Sequence, residues 1–582
     1  IKPFEEIRKD PRNTIEFDSA AAEEIDQRVS ELGADGKLLP DGRGEIHRVT
    51  LVEKILTLSL AKLSNFIPDG GIWLNTQRPE WNDANNALVG NGLSMVTACY
   101  LHRWCKFMHA WLADAADDTF QVSKEVAEFL EQIQKVVAQA VARLDKKARQ
   151  SSVEALSQAG SAYRRSLYDE GFSGEMVEVG RADCLALFQN ARDHLEATIR
   201  HNRRTDGLYH AYNLLDWQDD GIGIEPLYEM LEGQVAALSA DLLDADEAVE
   251  VLDALRASKL YRENQDSYLL YPDRSLPGFL EKNQIAPAAV DANPLLEKLL
   301  REGDTQIVVR DTRGGVHFNG AFRNSTDLRA ALDRLGAGFA GEVASHGGGL
   351  VATFDDLFGH RQFTGRSGTF FAYEGLGSIY WHMVSKLGLA VSDIYFRAVR
   401  AGAPAETLAA LKAHIAAIKR GIGAEKSPTE YGAFPSDPYS HTPENAGVKQ
   451  PGMTGQVKED ILARFAEIGI SIEDGCVCFQ MELFDRRELL TEPGELSFFN
   501  LDGDFESLPI PQGSFAFTLF QVPFVYQTGD EDTIEVLFSN GELLEIKGRR
   551  LDPKTSAQLF SRTGSIQSIS CRFNNFKPEP TD

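Results

Sequence analysis

The run Arg78-Pro79-Glu80-Trp81-Asn82-Asp83-Ala84-Asn85-Asn86 sets two carboxylates three positions apart, with an indole between them and three amides around them. An indole packs on the apolar face of a sugar ring, amides bond hydroxyls, and a carboxyl group shielded by the ring can stay protonated as a general acid. The same residues also read as a polar cap, with Asp83 capping the apolar helix expected from about Ala87 to Ala113.

Two more loop clusters share this composition. Asp206-Gly207-Leu208-Tyr209-His210-Ala211-Tyr212-Asn213 leads to Asp216-Trp217-Gln218-Asp219-Asp220-Gly221. Tyr209, His210 and Trp217 suit hydroxyl recognition. The aspartates would either hold calcium or form an Asp/Gly turn, and the turn is favoured because the EF-hand spacing is missing. Glu232 lies in an apolar helix, facing either the axis of a helical toroid or water.

The third cluster joins two segments expected to converge. Gly365-Arg366-Ser367-Gly368-Thr369 precedes Tyr373, Glu374, Ser378 and His382, the last three spaced four apart on one side of an expected helix. A loop of about 30 residues then carries Asp437, Tyr439, His441, Lys449, Thr454 and Gly455. Thr454 and Gly455 at a helix start, with Lys449 and His441 near them in sequence, would form an anion pocket from backbone N–H groups and the helix dipole.

Other chemistries lack support. No P-loop, GxGxxG, HExxH or GxSxG motif occurs, and no metal site is expected, including at His102 and His109. The basic group His201-Asn202-Arg203-Arg204 reads as a solvated helix end, with capture of an acidic sugar as the sharper alternative.

The elements that must position these loops are mainly helical. Apolar periodicity predicts helices over Glu45–Phe66, Ala87–Ala113, Ala182–Arg203, Pro226–Leu243, Ala245–Ser258, Leu295–Arg301, Ser325–Leu335, Leu376–Ala401, Ala405–Arg420 and Gly455–Ile468. Heptad spacing over Val122–Ala140, facing Ser151–Leu167 across a bend at Arg149–Ser152, predicts a surface helical hairpin near residues 121–168. Ile307–Val309 and Val316–Phe318 flank Gly314-Gly315, predicting a β-hairpin. After about Glu482 the period becomes two, with strands expected over Ser514–Tyr526, Thr533–Phe538, Glu542–Ile546 and Ser565–Phe573. The expected organisation is a lead-in over residues 1–44, an (α/α)6 toroid of about a dozen helices over 45–481, and a C-terminal β sheet or small sandwich over 482–582.

Length and charge narrow the function. The 582 residues include 59 Lys and Arg against 87 Asp and Glu, a net charge of -28. That field repels phosphate backbones and anionic lipid, so nucleic acid and membranes are not expected partners. No apolar run reaches 18 residues, and the six cysteines form no disulfide framework, which points to the cytoplasm. The chain opens on Ile1 without a Met or a signal peptide, so a homo-oligomer or an additional N-terminal domain stays open.

Glu80-Trp81-Asn82-Asp83 before an apolar helix resembles the acid-Trp-Asn-Asp signature of inverting disaccharide phosphorylases such as cellobiose phosphorylase, in the six-hairpin glycosidase superfamily. The resemblance covers about 30 residues strongly, and the helix count and β tail more loosely. It implies Asp83 or Glu80 as general acid and His441, Thr454 and Gly455 as contacts of inorganic phosphate, the co-substrate of a phosphorylase. No other cofactor is expected. This chain departs from the pattern in its Glu at the first acid and in lacking the large amino-terminal β domain, which bears on phosphorolysis in particular. For hydrolysis with inversion, acid and base stand about 6.5 to 9.5 Å apart, so Glu374 or Asp437 would be the base. Arg78, Trp81, Asn82, Tyr209, His210, Trp217, Tyr373, His382, Tyr439 and His441 are the candidate oligosaccharide-binding groups. The expected activity is therefore inverting cleavage of a glycosidic bond. The alternatives are a polysaccharide lyase using His210, Tyr212 and Arg203, and a nonenzymatic carbohydrate-binding or scaffold protein.

Overall fold

A computed structural model describes the chain apart from residues 12, 41–45, 76–87, 140, 142–143, 264–265, 273–277, 360–380, 423–455, 575 and 577–582. Helix accounts for about half of the chain and sheets are substantial, so the mainly α expectation holds at that level. The contacts divide it into two compact units, Ile1–Ala433 and Phe434–Asp582.

In the first unit, helix starts are set by short polar caps. The Thr50 side chain accepts from the Glu53 N–H at the head of Leu51–Leu63, Ser94 from the Thr97 N–H at the head of Met95–Ala113, and Asp145 from the Ala148 N–H at the head of Lys146–Asp169. Asp244 and Glu247 form a capping box at Ala245–Ala257. The long apolar helix therefore begins at Met95 and is capped by Ser94, while the reading of Asp83 as a cap lies outside the described residues.

A five-stranded sheet, unexpected from the periodicity, organises this end of the helices. Its order is Phe66–Ile67, Gly71–Trp73, Gly92–Ser94, Tyr212–Gln218, Gly221–Pro226, all antiparallel. Gly71 has φ +117°, and a Cβ there would sit 2.8 Å from the Ser94 carbonyl oxygen, so only glycine lets these strands close up. Asp219 and Asp220 lie in the hairpin turn between the last two strands, as the Asp/Gly reading expected.

The region of the expected surface hairpin is built differently. The bend is not at Arg149–Ser152, which lie inside the helix Lys146–Asp169. Lys124–Val137 packs on that helix through stacked Phe129 and Tyr163, centroids 4.7 Å apart, with Val126, Phe129 and Ile133 buried. Strands Thr119–Ser123 and Met176–Gly180 close the base of the pair.

Residues 279–358 carry a core of their own. Ile285, Leu295, Leu296, Leu299, Ile307, Phe318, Leu328, Leu350 and Phe354 form one buried cluster with their neighbours. The expected hairpin is present as Val308–Arg310 paired with Val316–Phe318. The helix Ala340–Phe358 was not foreseen, because Gly347-Gly348-Gly349 reads as a breaker.

In the second unit, strands Phe515–Leu519, Val522–Gly529, Ile566–Asn574, Thr533–Phe538 and Leu543–Lys547 lie side by side in that order. The expected strand Ser514–Tyr526 is two strands, turned at Phe520 and Gln521, both at positive φ. Ile468, Ile470, Val477 and Phe479 belong to the same core as Phe524, Tyr526 and Phe573. The helix Gln456–Glu467 and the hairpin Ile470–Phe479 therefore go with the β unit, and the boundary expected at 481/482 falls inside it.

Candidate active site

Three helices of the first unit present their amino-terminal turns at one end. Met95–Ala113 and Trp381–Arg400 both pack against Leu231–Ser239, whose nine residues are all buried. Their far ends are clamped together: Lys106 pairs with Asp241 at 2.8 Å, Arg397 pairs with the same Asp241, and Arg103 pairs with Asp393 at 3.4 Å. His102 adds a bond from Nδ1 to the Ala240 carbonyl at 2.8 Å. With about 1.5 Å of rise per residue, these contacts fit three helices that run in the same direction.

At that end the first turns carry Ser94, Glu232 and His382, respectively 1%, 6% and 2% exposed. Strand pairing sets Tyr212 opposite Ser94, and the Tyr212 hydroxyl donates to Glu232 Oε2 at 2.9 Å. This bond ties the start of Met95–Ala113 to the start of Leu231–Ser239. A carboxylate in the first helical turn is favoured by the positive end of the helix dipole. Glu232 is thus buried rather than solvated.

Two of the chemistry-bearing segments, residues 76–87 and 360–380, lead in sequence to the turns at Ser94 and His382. The acidic signature belongs to residues 76–87, whose flanks are pinned: the Leu74 N–H donates to Gly92, the Gly90 N–H to Leu74, and the Trp73 indole N–H to the Gly90 carbonyl at 3.0 Å. Arg78, Glu80, Trp81, Asn82 and Asp83 themselves lie outside the described residues, as do Tyr373, Glu374, Asp437, Tyr439, His441, Lys449, Thr454 and Gly455.

Four candidates are described: Tyr209, His210, Trp217 and His382. Tyr209 is core: its N–H donates to the Gln234 side chain, its carbonyl accepts from it, and burial pushes its phenol pKa up. Trp217 packs edge-on against Trp73 with the Arg8 guanidinium 5.1 Å over its ring. Strand alternation puts it on the opposite face from Asp216 and Gln218. His382 is buried at the helix start, and His210 is half-buried with Nδ1 3.1 Å from the Leu227 carbonyl. Burial holds the His210 pKa below the ordinary histidine value.

Sequence reasoning missed a polar cluster bordering the same sheet. Asp69, at φ +64°, pairs with Arg149 at 2.7 Å, and the same guanidinium donates to the carbonyls of Pro68, Leu144 and Ile222. Asn202 donates to the Asp69 carbonyl and accepts from the Asn213 side chain, which also donates to Gly70. The signal for it in the sequence is the Asp69-Gly70-Gly71 turn. Arg203 pairs with Glu250 and Arg204 with Asp206, so the basic group at the helix end is largely neutralised locally.

Residues 276–361 match the family model described as GH149 phosphorylase insertion domain 2. Those limits bracket the self-contained core of residues 279–358. The match supports a glycoside-phosphorylase-like family and, more coarsely, a carbohydrate-active enzyme. No curated protein matches the chain. Among the described residues, no helix is long and apolar enough to cross a membrane.

Proposed function

We propose that the protein cleaves a glycosidic bond of an oligosaccharide with inversion, inorganic phosphate being the attacking group. The observation that carries this reading is the match of residues 276–361 to an insertion domain of phosphorylases in a chain that also holds Glu80-Trp81-Asn82-Asp83. The two helices Met95–Ala113 and Trp381–Arg400 packed on buried Leu231–Ser239 support an (α/α)6 arrangement, with the site at their amino-terminal end. The six free, buried cysteines support a cytoplasmic location.

In this reading Asp83, or Glu80, protonates the bridging oxygen. A phosphate oxygen held by His441, Thr454, Gly455 and Lys449 attacks the anomeric carbon from the opposite face. The carbon–oxygen bond breaks, giving an inverted sugar 1-phosphate and an oligosaccharide one unit shorter. Arg78, Trp81, Asn82, Tyr373, His382 and Tyr439 bind the sugar, and Glu232 lines the site through Tyr212. If water replaces phosphate, Glu374 or Asp437 serves as base. The lyase alternative loses ground because Tyr212 is committed to Glu232 and Arg203 to Glu250.

The test is product analysis by mass spectrometry over an oligosaccharide panel, with and without inorganic phosphate, beside Asp83→Asn. Sugar phosphate appearing only with phosphate, and falling by at least about a hundredfold in the variant, supports phosphorolysis. Free sugar in plain buffer makes the enzyme a hydrolase, unsaturated product makes it a lyase, and no product on any glycan leaves a binding or scaffold protein.

A further inference from the structure

Trp73 ends the strand Gly71–Trp73, and the neighbouring strand Gly92–Ser94 sets Leu93 opposite it. Residues 76–87, which carry Glu80-Trp81-Asn82-Asp83, run in sequence from the first of these strands to the second. The two strand ends therefore fix where that segment leaves the sheet and where it returns. The return is a tight turn: the Asn91 N–H donates to the Leu88 carbonyl, Gly90 has φ +90°, and a Cβ at Gly92 would lie 2.4 Å from the Leu88 Cβ. Backbone bonds from the Leu74 N–H to Gly92 at 2.9 Å and from the Gly90 N–H to Leu74 at 2.6 Å hold the two ends together. The Trp73 indole N–H adds a side-chain bond, to the Gly90 carbonyl at 3.0 Å.

The ring itself is 2% exposed and is backed by the amino-terminal helix Phe4–Lys9. Phe4 meets it edge-on with centroids 6.4 Å apart, and Phe4 and Ile7 share its buried cluster with Val153 and Ile222. A helix of six residues does not hold itself in water, so its place is set by its contacts. The Phe4 N–H donates to Ser161 Oγ at 3.1 Å, and Arg8 pairs with Glu154 at 2.8 Å. The indole is thus packed between an anchored helix and the base of the segment, and a close-packed ring transmits a displacement instead of absorbing it. Misplacing a reacting group by about 1 Å costs about a hundredfold in rate.

We propose that Trp73 is a positioning residue for the cleavage: its indole N–H, backed by Phe4, fixes the base of the segment that bears the general acid, and so governs turnover without touching substrate. The role in turnover rests on the proposed function; the pinning of Gly90 by Trp73 does not.

The experiment places Trp73→Phe and, separately, Phe4→Leu in the full chain. Trp73→Phe keeps an aromatic ring and removes the N–H donor; should it fail to fold, Phe4→Leu carries the same readouts. Hydrogen exchange by mass spectrometry over residues 88–95 reads the pinning. Steady-state kinetics read the role, on the glycan found to be cleaved and on a dinitrophenyl glycoside of the sugar that is transferred. Dinitrophenolate departs without a proton, so a displaced general acid spares that substrate while a general structural defect slows both. The expected result for Trp73→Phe is faster exchange, a fall of at least about tenfold in kcat on the glycan with KM within about twofold, and dinitrophenyl turnover within about twofold of wild type. Phe4→Leu should move the same quantities in the same direction by less. Equal losses on the two substrates, or no loss on the glycan, overturn the positioning role. Unchanged exchange over residues 88–95 overturns the pinning whatever the kinetics show. A wild-type chain that cleaves no glycan removes the proposed function and this role with it, and exchange alone then decides whether Trp73 pins Gly90.

Discussion

The Tyr212 hydroxyl donates to the Glu232 carboxylate at 2.9 Å, and the two side chains are 1% and 6% exposed. The bond joins a strand to the first turn of a helix whose nine residues are all buried. Tyr212→Phe removes a donor from a buried carboxylate without changing shape, and a buried acceptor stripped of one partner costs about 1–3 kcal/mol. Urea unfolding should show that loss; a change below about 0.5 kcal/mol would mean the bond carries no stability. Glu232→Gln keeps the volume and still accepts from Tyr212, so it should leave the urea midpoint nearly unchanged while lowering turnover on a cleaved glycan.

The Asp69–Arg149 pair predicts a larger effect. Both side chains are about a tenth exposed, and the guanidinium also satisfies three carbonyls. Arg149→Met leaves a buried carboxylate and those carbonyls without their donor, and should cost about 3–5 kcal/mol by denaturant titration. Adding Asp69→Asn removes the orphaned charge, so the double variant should be less destabilised than the sum of the single variants. Strict additivity would show that the two side chains are not coupled.

Stability should fall on the acid side, and His102 is a main reason. It is 2% exposed, and burial lowers its pKa against the opposing bond to the Ala240 carbonyl. Above the ordinary histidine value of about 6.5 neither the folded nor the unfolded state is protonated, and the full stability is present. As the pH drops below it the unfolded chain takes up a proton first, so stability declines until the folded pKa is passed. His210 shifts in the same direction for the same cause. Melting temperature measured from about pH 7.5 to 5.5 should fall, and the slope should be shallower in His102→Gln. An unchanged slope would assign the acid sensitivity to other groups.

Much of the helical scaffold was legible because its signal is local. The helices at Ala245–Ala257, Leu231–Ser239, Ser325–Asp333 and Ala405–Ile422 lie within the stretches their apolar spacing marked, give or take two residues. The sheet at the head of the bundle was not legible. Its strands are two to seven residues long, and Asp216-Trp217-Gln218 alternates faces while its polar composition reads as a loop. That alternation also separates Trp217 from the carboxylate-bearing face, so residues adjacent in sequence and alike in apparent chemistry parted ways. Arg149 was hidden by the opposite error: a Gln-Ser-Ser run looked like a bend but sits mid-helix, because the preceding Asp145 supplies the cap. The turn at Phe520 and Gln521 was invisible for want of a glycine.

The match over residues 276–361 makes one further claim that can be separated from catalysis. Every member of its core cluster lies between Ile285 and Phe358, and its hairpin and helices pack on one another. Phe318, Phe354 and Phe358 interlock with centroids 4.7 to 6.5 Å apart. Domains of about 60 residues often fold alone, and this segment exceeds that size with one continuous core. Expressed by itself, residues 276–361 should therefore unfold cooperatively by circular dichroism. Phe354→Ala empties the centre of the aromatic cluster and should cost about 3–5 kcal/mol in the isolated segment. In the full chain the same substitution should leave the glycan cleavage proposed for Asp83 in place, since the helix starts at Ser94, Glu232 and His382 do not belong to this core. A gradual, noncooperative melt of the isolated segment would mean that the insertion depends on the remainder of the chain for its core.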